Sequence, residues 1–260
     1  MDLDLKGKRA LVTGGSKGIG LASAQVLAEE GCSVMIASRD GAALEAAAAG
    51  IKSRTGATVT WRAADLSQRG AAEDLAKWAA EAGPVDILVN NAGAIPGGDL
   101  LKVDEDTWRR AWDLKVFGYI NLTRAIYAQM KEKKRGVIVN VLGNAGEKLN
   151  AAYIAGSAAN ASLMAFTRAL GGASHADGIR VVGVSPGPVA TDRLLLLYKQ
   201  MAMTKFGDAS RYEELFSGMA FNRPATAEEI AWTVAFTASD RSSYTTGIYI
   251  TVDGGLAARS

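Results

Sequence analysis

Short runs of consecutive apolar residues recur along this chain, separated by longer stretches in which apolar positions return every three or four residues. The short runs predict strands at Ala10–Thr13, Ser33–Ala37, Thr58–Arg62, Ile87–Val89, Val137–Val141, Val181–Val184 and Ile248–Thr251. The intervening alanine-rich stretches Leu21–Glu30, Ala42–Arg54 and Ala71–Ala82 read as helices, and a longer helix is predicted over Thr107–Lys131. Strands alternating with helices predict an α/β fold, a doubly wound parallel sheet of about seven strands with helices on both faces. Strands that are apolar throughout suit a sheet buried on both sides. No linker, internal repeat or low-complexity tract divides the chain, so residues 1–260 read as one domain.

One segment breaks the rhythm. Asp192 to Asn222 follows a Pro-Gly-Pro turn and carries Leu194–Leu197, Met201, Met203, Phe206, Leu215, Phe216, Met219 and Phe221. It reads as an amphipathic pair of helices. Either the pair simply covers the sheet, or 192–222 is a substrate lid, since it leaves the sheet at a strand end where ligands of open α/β sheets bind. Beyond it, Thr226-Ala227-Glu228-Glu229 has capping-box spacing and starts another helix.

Composition narrows the function classes. Hydrophobic residues make up 48% of 260, enough for a sizeable core. The net charge of +2 balances 29 basic against 27 acidic side chains, and the densest basic stretch, Lys131 to Arg135, reads as a solvated helix end. No nucleic-acid or membrane surface is expected. The lone Cys32 allows no internal disulfide, and neither a signal peptide nor an apolar run of about 20 residues is visible. The expectation is a cytoplasmic protein. No Cys/His cluster points to a metal.

The strongest chemical signal is Thr13-Gly14-Gly15-Ser16-Lys17-Gly18-Ile19-Gly20, placed between a strand and a helix. Gly14, Gly18 and Gly20 allow a sharp bend and close approach to a pyrophosphate, while the helix start near Ile19 offers N–H donors and a favourable dipole. This is a dinucleotide-binding turn. The end of the second strand selects the dinucleotide. An acidic residue there would favour NAD, but this chain has Ser38-Arg39, with Lys17 in the turn. Two cations and a hydroxyl suit the 2′-phosphate of NADP(H). Asp40 is close by, and reads as the start of the next helix. Asp65-Leu66, after the third strand, is placed to contact the adenine.

These motifs, with Asn90-Asn91-Ala92-Gly93, Tyr153, Pro186-Gly187-Pro188-Val189-Ala190-Thr191 and Asp253-Gly254-Gly255, resemble the short-chain dehydrogenase/reductase family in its single-domain branch. The similarity covers essentially the whole chain. It implies a Rossmann-type fold and a homotetramer or homodimer. It also implies a small-molecule carbonyl or alcohol substrate. By this resemblance Asn90, Asn91, Ala92 and Gly93 line the cofactor, as do Pro186 and Gly187, and Val189 and Thr191 meet its nicotinamide end.

The family's catalytic set is a serine, a tyrosine, a lysine and a helix asparagine, and only the tyrosine, Tyr153, stands here. Gly143 falls where the serine belongs, in a loop about three residues short by comparison with the family; Ser157 replaces the lysine and Lys115 the asparagine. Tyrosine's ordinary pKa is about 10, and a lysine one turn on favours its phenolate. Losing about 1–3 units of that help penalises alcohol oxidation by roughly 10- to 1000-fold. Carbonyl reduction, which uses the neutral phenol as proton donor, suffers less. Lys115 either returns the missing cation from another helix or is an unrelated interface or surface residue. Asn144 and Asn150 are candidate donors in place of the serine. Glu147-Lys148 borders the same loop, and His175 reads as a surface residue.

The leading reading is an NADP(H)-dependent oxidoreductase reducing a carbonyl on a small, fairly apolar molecule, with Tyr153 as the acid and Lys115 as electrostatic helper. A catalytically silent NADP-binding protein and a nonredox enzyme on the same scaffold are the alternatives.

Overall fold

The computed structural model describes residues 2–259. Its centre is a seven-stranded sheet whose paired strands all run parallel, in the order β3-β2-β1-β4-β5-β6-β7. The strands are β1 Arg9–Thr13, β2 Ser33–Ser38, β3 Val59–Ala63, β4 Ile87–Asn90, β5 Gly136–Val141, β6 Ile179–Pro186 and β7 Tyr249–Val252. The helices are α1 Gly18–Glu29, α2 Gly41–Thr55, α3 Ala71–Ala80, α4 Glu105–Trp112, α5 Gly118–Lys133, α6 Ile154–Ala173, α7 Asp192–Phe206 and α8 Ala227–Ala238.

Every predicted strand is present, with small shifts at the ends. β6 is longer than its apolar run because Ser185 and Pro186 continue the pairing, opposite Thr251 and Val252. The expectation of strands buried on both faces holds for β1, β2, β4, β5 and β6 but not for the two edge strands: β3 has Thr60–Arg62 largely exposed, and β7 is half-buried throughout. Alanine-rich α1 and α8 pack against one another over one face, where Leu27, Leu44, Ile230 and Val234 share a core with Val12 and Ile36. On the other face, Leu75, Leu122 and Ile126 close over Leu11, Leu88 and Ile138. The chain reverses its winding direction between β1 and β4, and in open sheets of this kind ligands bind at the carboxyl ends of the strands flanking that point.

Two helical predictions need correction. The expected single helix over Thr107–Lys131 begins at Glu105, two residues after the segment's apolar Val103, and is interrupted by a π-helical turn, Asp113–Phe117. The Gly118 amide there bonds back to Asp113 O, five residues earlier. In 192–222 only the first half is an α-helix. The second is a 3₁₀ run, Ala209–Gly218, bent at Arg211, followed by a short turn in which Phe221 and Asn222 adopt positive φ. The capping box at Thr226 and Glu229 forms as expected at the start of α8.

Candidate active site

The loops leaving β1 and β4 are stitched together at the reversal point. Thr13 Oγ1 accepts hydrogen bonds from the amides of Asn91 (2.9 Å) and Ala92 (3.1 Å), and Asn91 Nδ2 donates to Thr13 O at 3.0 Å. Gly14 has φ +66° and a Cβ there would lie 2.7 Å from Asn91 Nδ2; one on Gly20 would overlap the Gly14 carbonyl. Gly18, at φ +57°, opens α1, and a Cβ on it would lie 3.2 Å from Thr191 Cγ2 in the loop after β6. The amides of Gly18, Ile19 and Gly20 precede the first intrahelical bond of α1, from Leu21 N to Lys17 O, and are the kind of donors that a helix start can offer to phosphate oxygens. Side chains at positions 14 and 20 would collide with the Gly14 carbonyl and the Asn91–Ala92 loop, so these glycines are what let the turn and the loop pack this closely.

At the end of β2, Asp40 caps α2 by accepting from the Ala43 amide at 3.1 Å, as expected from the sequence. Ser38 Oγ is buried without a hydrogen-bond partner among the described residues, and Arg39 is exposed. Asp65 is half-buried after β3. Burial pushes its carboxyl up, but the hydroxyl and amide of Ser67 and the charge of Arg39 outweigh that and hold it below the usual carboxylate range. Leu66 points into the core, with its Cβ 3.3 Å from a Cβ built on Gly118, so Asp65 is the accessible member of the pair.

The π turn aims Lys115 inward. Its Nζ donates to the carbonyls of Val141 (2.8 Å) and Leu142 (3.4 Å) and to Tyr119 Oη (3.1 Å), and it lies 4.8 Å from the centre of the Tyr119 ring. The residue is 8% exposed, which excludes the reading of Lys115 as a surface residue. Its stem passes beneath Gly93: a Cβ on that glycine would lie 2.6 Å from Lys115 Cδ. Tyr119 donates to Val141 O at 2.8 Å, and its complete burial raises its phenol well above the ordinary range. A cation is thus fixed at the carboxyl ends of β4 and β5.

Tyr153 stands immediately before α6, half-buried against a cluster that includes Tyr119, Leu142, Ala155 and Ala159. Its ring lies flat on Gly156, where any side chain would overlap it. Trp112 Nε1 donates to Ala155 O at 3.1 Å, tying the end of α4 to the first turn of α6. Lys115 and Tyr153 consequently border one apolar cluster at the same end of the sheet. Ser157, one turn beyond the tyrosine, points not towards Lys115's partners but to the loop residue Asn150, whose amide donates to Ser157 Oγ at 3.0 Å.

The other predicted residues take varied places. Gly187 packs against Asp253, a Cβ on it lying 2.7 Å from Asp253 Cβ; Pro186 and Val189 are buried and Thr191 half-buried. Asn90 belongs to a buried amide–hydroxyl ladder with Thr123, Asn140 and Thr167. Glu147 accepts from Thr251 and Lys148 donates to Leu256 O, so both brace the C-terminal segment. Asn144 Nδ2 reaches Asp253 at 3.4 Å, and Asn150 Oδ1 holds the Ala152 amide at 2.9 Å. His175 is exposed, on a short 3₁₀ turn, as expected. Three participants were not singled out from the sequence: Tyr119, Asn160 and the anchoring hydroxyl of Ser157. Tyr119 lies four residues after Lys115, the spacing of neighbours on a helix face. Asn160 donates to Gly156 O at 2.9 Å, and a Cβ on Gly143 would lie 3.1 Å from its Nδ2.

Residues 8–201 match the family model for short chain dehydrogenases. The chain is 33% identical over 254 residues to a 3-oxoacyl-[acyl-carrier-protein] reductase of Chlamydia muridarum, covering 97% of this chain and 98% of that protein. It is 32% identical over 249 residues to an acetoacetyl-CoA reductase of Shinella zoogloeoides, covering 95% and 97%. Among solved structures, L-sorbose reductase from Gluconobacter frateurii, complexed with NADPH and L-sorbose, superposes over the whole of both chains with a TM-score of 0.94 at 28% identity. An NAD⁺-bound xylitol dehydrogenase matches with a TM-score of 0.89 at 26% identity, over 97% of this chain and all of that one. With its glycine turn, Asn-Asn-Ala-Gly loop and Tyr153 set around one parallel sheet, this chain belongs to the short-chain dehydrogenase/reductase family of oxidoreductases.

Proposed function

We propose that this protein is an NADP(H)-dependent reductase of a carbonyl on a small, fairly apolar molecule. The observation that carries the reading is the placement of Lys115, a buried ammonium held at the end of β5 on the side of the sheet that Tyr153 borders. Tyr153 gives its phenolic proton to the carbonyl oxygen, and the ammonium stabilises the negative charge that the phenol acquires. When bound, the reduced nicotinamide supplies the hydride. Gly14, Ser16, Lys17, Gly18 and Ile19 hold the cofactor's pyrophosphate, Asp65 borders the adenine while Leu66 backs it from the core, and Asn91, Ala92, Gly93, Pro186, Gly187, Val189 and Thr191 flank the nicotinamide half.

The choice of NADP(H) is supported by Asp40, whose carboxylate caps α2. The exposed Arg39 is left beside it for a 2′-phosphate, next to Ser38, whose buried Oγ has no hydrogen-bond partner among the described residues. Residues 192–222 serve as the substrate lid. α7 packs chiefly on the 3₁₀ run that follows it, and Tyr198, Tyr212 and Phe216 form an aromatic cluster of their own, with ring centres 5.2 Å and 5.7 Å from that of Phe216. A unit that makes most of its contacts with itself moves as a unit. Exposed Trp232, Phe236, Tyr244 and Ile248 around α8 and β7 fit a homo-oligomer.

NADPH consumption across a panel of ketones, aldehydes and quinones, including acetoacetyl-CoA and L-sorbose, tests the reading in wild type and Tyr153→Phe. The reading expects turnover that falls by more than about 100-fold in the variant, with NADPH binding retained. Binding without turnover in the wild type, or undiminished turnover in the variant, overturns it.

A further inference from the structure

Ser157 occupies the position at which the chemistry of a proton-donating tyrosine asks for a cation, yet a hydroxyl cannot supply one. Its surroundings show what it does instead. The side chain is buried at 5% exposure, and both of its hydrogen-bonding capacities go to one residue. It accepts from the Asn150 amide at 3.0 Å and turns its own proton towards the Asn150 carbonyl at 3.4 Å. The same carbonyl accepts the Tyr153 amide at 3.0 Å, and Asn150 Oδ1 accepts the Ala152 amide at 2.9 Å. The turn that delivers Tyr153 to α6 is therefore closed by Ser157 from the far side.

The closure continues beyond the turn. The Gly98 amide donates to Ala152 O at 2.8 Å and the Ile154 amide returns a bond to Gly98 O at 3.3 Å, so Tyr153 is bracketed by a parallel bridge to Gly98. Tyr153 O accepts the Ser157 amide at 2.9 Å, and the ring rests on Gly156. Tyr153 is the N-cap residue of α6, and its own side chain makes no capping bond. The serine hydroxyl thus does from inside the helix what a cap does from outside it, fixing the chain just before the first turn. Only a short side chain can do this, because the turn runs directly against the helix at that point.

We propose that Ser157 is a positioning residue for Tyr153: the loop from Gly143 to Tyr153 is pinned onto α6 by its hydroxyl, while the site's cation comes from Lys115. The proposal rests on the reading of Tyr153 as proton donor. It implies that restoring a lysine at 157 is damaging, since a long charged side chain displaces Asn150 and lets the tyrosine drift. A displacement of about 1 Å at a reacting group costs on the order of 100-fold in rate.

The test uses the full-length protein with Ser157→Ala, Ser157→Thr, Ser157→Lys and Tyr153→Phe. Amide hydrogen exchange over residues 148–157, measured without any substrate, is expected to quicken at least about tenfold in S157A and S157K and to stay near wild type in S157T, with exchange in β4 and β5 unchanged. With the best ketone or aldehyde of the panel, kcat is expected to fall about 10- to 100-fold in S157A and S157K and to be recovered by S157T, while the NADPH Kd stays within about twofold in all three. Unchanged exchange and unchanged kcat in S157A, or a kcat in S157K above wild type, overturns the proposal. Where S157A does not fold, S157T with native exchange and rate beside a slowed S157K supports it, and an S157K equal to wild type overturns it. If Y153F retains full turnover, the proton-donor reading fails by itself, and the exchange measurement still decides whether Ser157 pins the loop.

Discussion

Lys115 Nζ lies 2.8 Å from the carbonyl oxygen of Val141, the last residue of β5, so a helix side chain is tied to the strand end from which the active-site loop departs. The tie is shared: Tyr119 Oη donates to the same carbonyl at 2.8 Å. Two donors on one oxygen leave the backbone satisfied when either is lost.

That redundancy separates activity from stability in Lys115→Met. Methionine matches the stem of lysine beneath Gly93 and removes the charge. Val141 O keeps its bond from Tyr119, so the stability loss is expected at the low end of about 1–3 kcal/mol. The rate of carbonyl reduction is expected to fall about 10- to 100-fold, and the pH at which alcohol oxidation gains its base to move upward. Thermal denaturation and pH–rate profiles check the two effects independently. A variant as active as the wild type refutes the electrostatic role.

Arg39 is the residue on which cofactor choice is expected to turn. In Arg39→Ala the NADPH Kd should rise about 10- to 100-fold, the loss of one charge-assisted contact of roughly 1.5–3 kcal/mol, and NADH binding should not change. Asp40→Ala should behave differently. It is a helix cap, so its removal costs about 0.5–2 kcal/mol of stability without a shift in cofactor preference. Calorimetric titration with both dinucleotides, beside a melting curve, distinguishes the two.

The sheet was legible because its signal is redundant. Strands β1, β2, β4, β5 and β6 each have an apolar run that burial demands, and the glycine turn repeats a steric requirement that the structure shows at Gly14 and Gly20. What the sequence could not disclose depends on single side-chain directions. The π turn at Asp113–Phe117 has no distinctive composition, and without it the inward aim of Lys115 could not be read. Ser157 reads as a lost lysine until its bond to Asn150 is seen. The second half of 192–222 is amphipathic enough for a helix, yet its residues pack as a 3₁₀ run around Phe216. A period near three is hard to separate from one of 3.6 over ten residues.

Two glycine-to-alanine changes should act in opposite directions. In Gly20→Ala the new methyl overlaps the Gly14 carbonyl and crowds Asn91, so the turn must open. A loss of about 1–3 kcal/mol and of measurable NADPH binding is expected. In Gly50→Ala the methyl meets nothing within 4 Å on the exposed side of α2, and a gain of about 0.4–1 kcal/mol follows from reduced freedom of the unfolded chain. Urea unfolding of both variants checks the signs, and equal destabilisation would show that the turn has no special steric demand.

Cys32 provides an alkaline marker of folding. It is 1% exposed, its Sγ lies 3.4 Å from Leu5 O, and burial pushes its thiol up to about 12. A thiol in the unfolded chain ionises near 8.5, so the unfolded state releases its proton first as pH rises. The stability contributed by the neutral buried thiol is therefore complete below about pH 8.5 and is lost progressively between there and about 12. Denaturant unfolding at pH 7 and pH 10 should show the wild type losing more stability than Cys32→Ala, with the difference isolating this one group from the other alkaline titrations. Since the thiolate is the nucleophile, native protein should resist iodoacetamide at pH 8.5 and react only at the rate at which it opens. Alkylation of the folded protein as fast as that of the urea-unfolded chain would show that the thiol is neither buried nor held neutral.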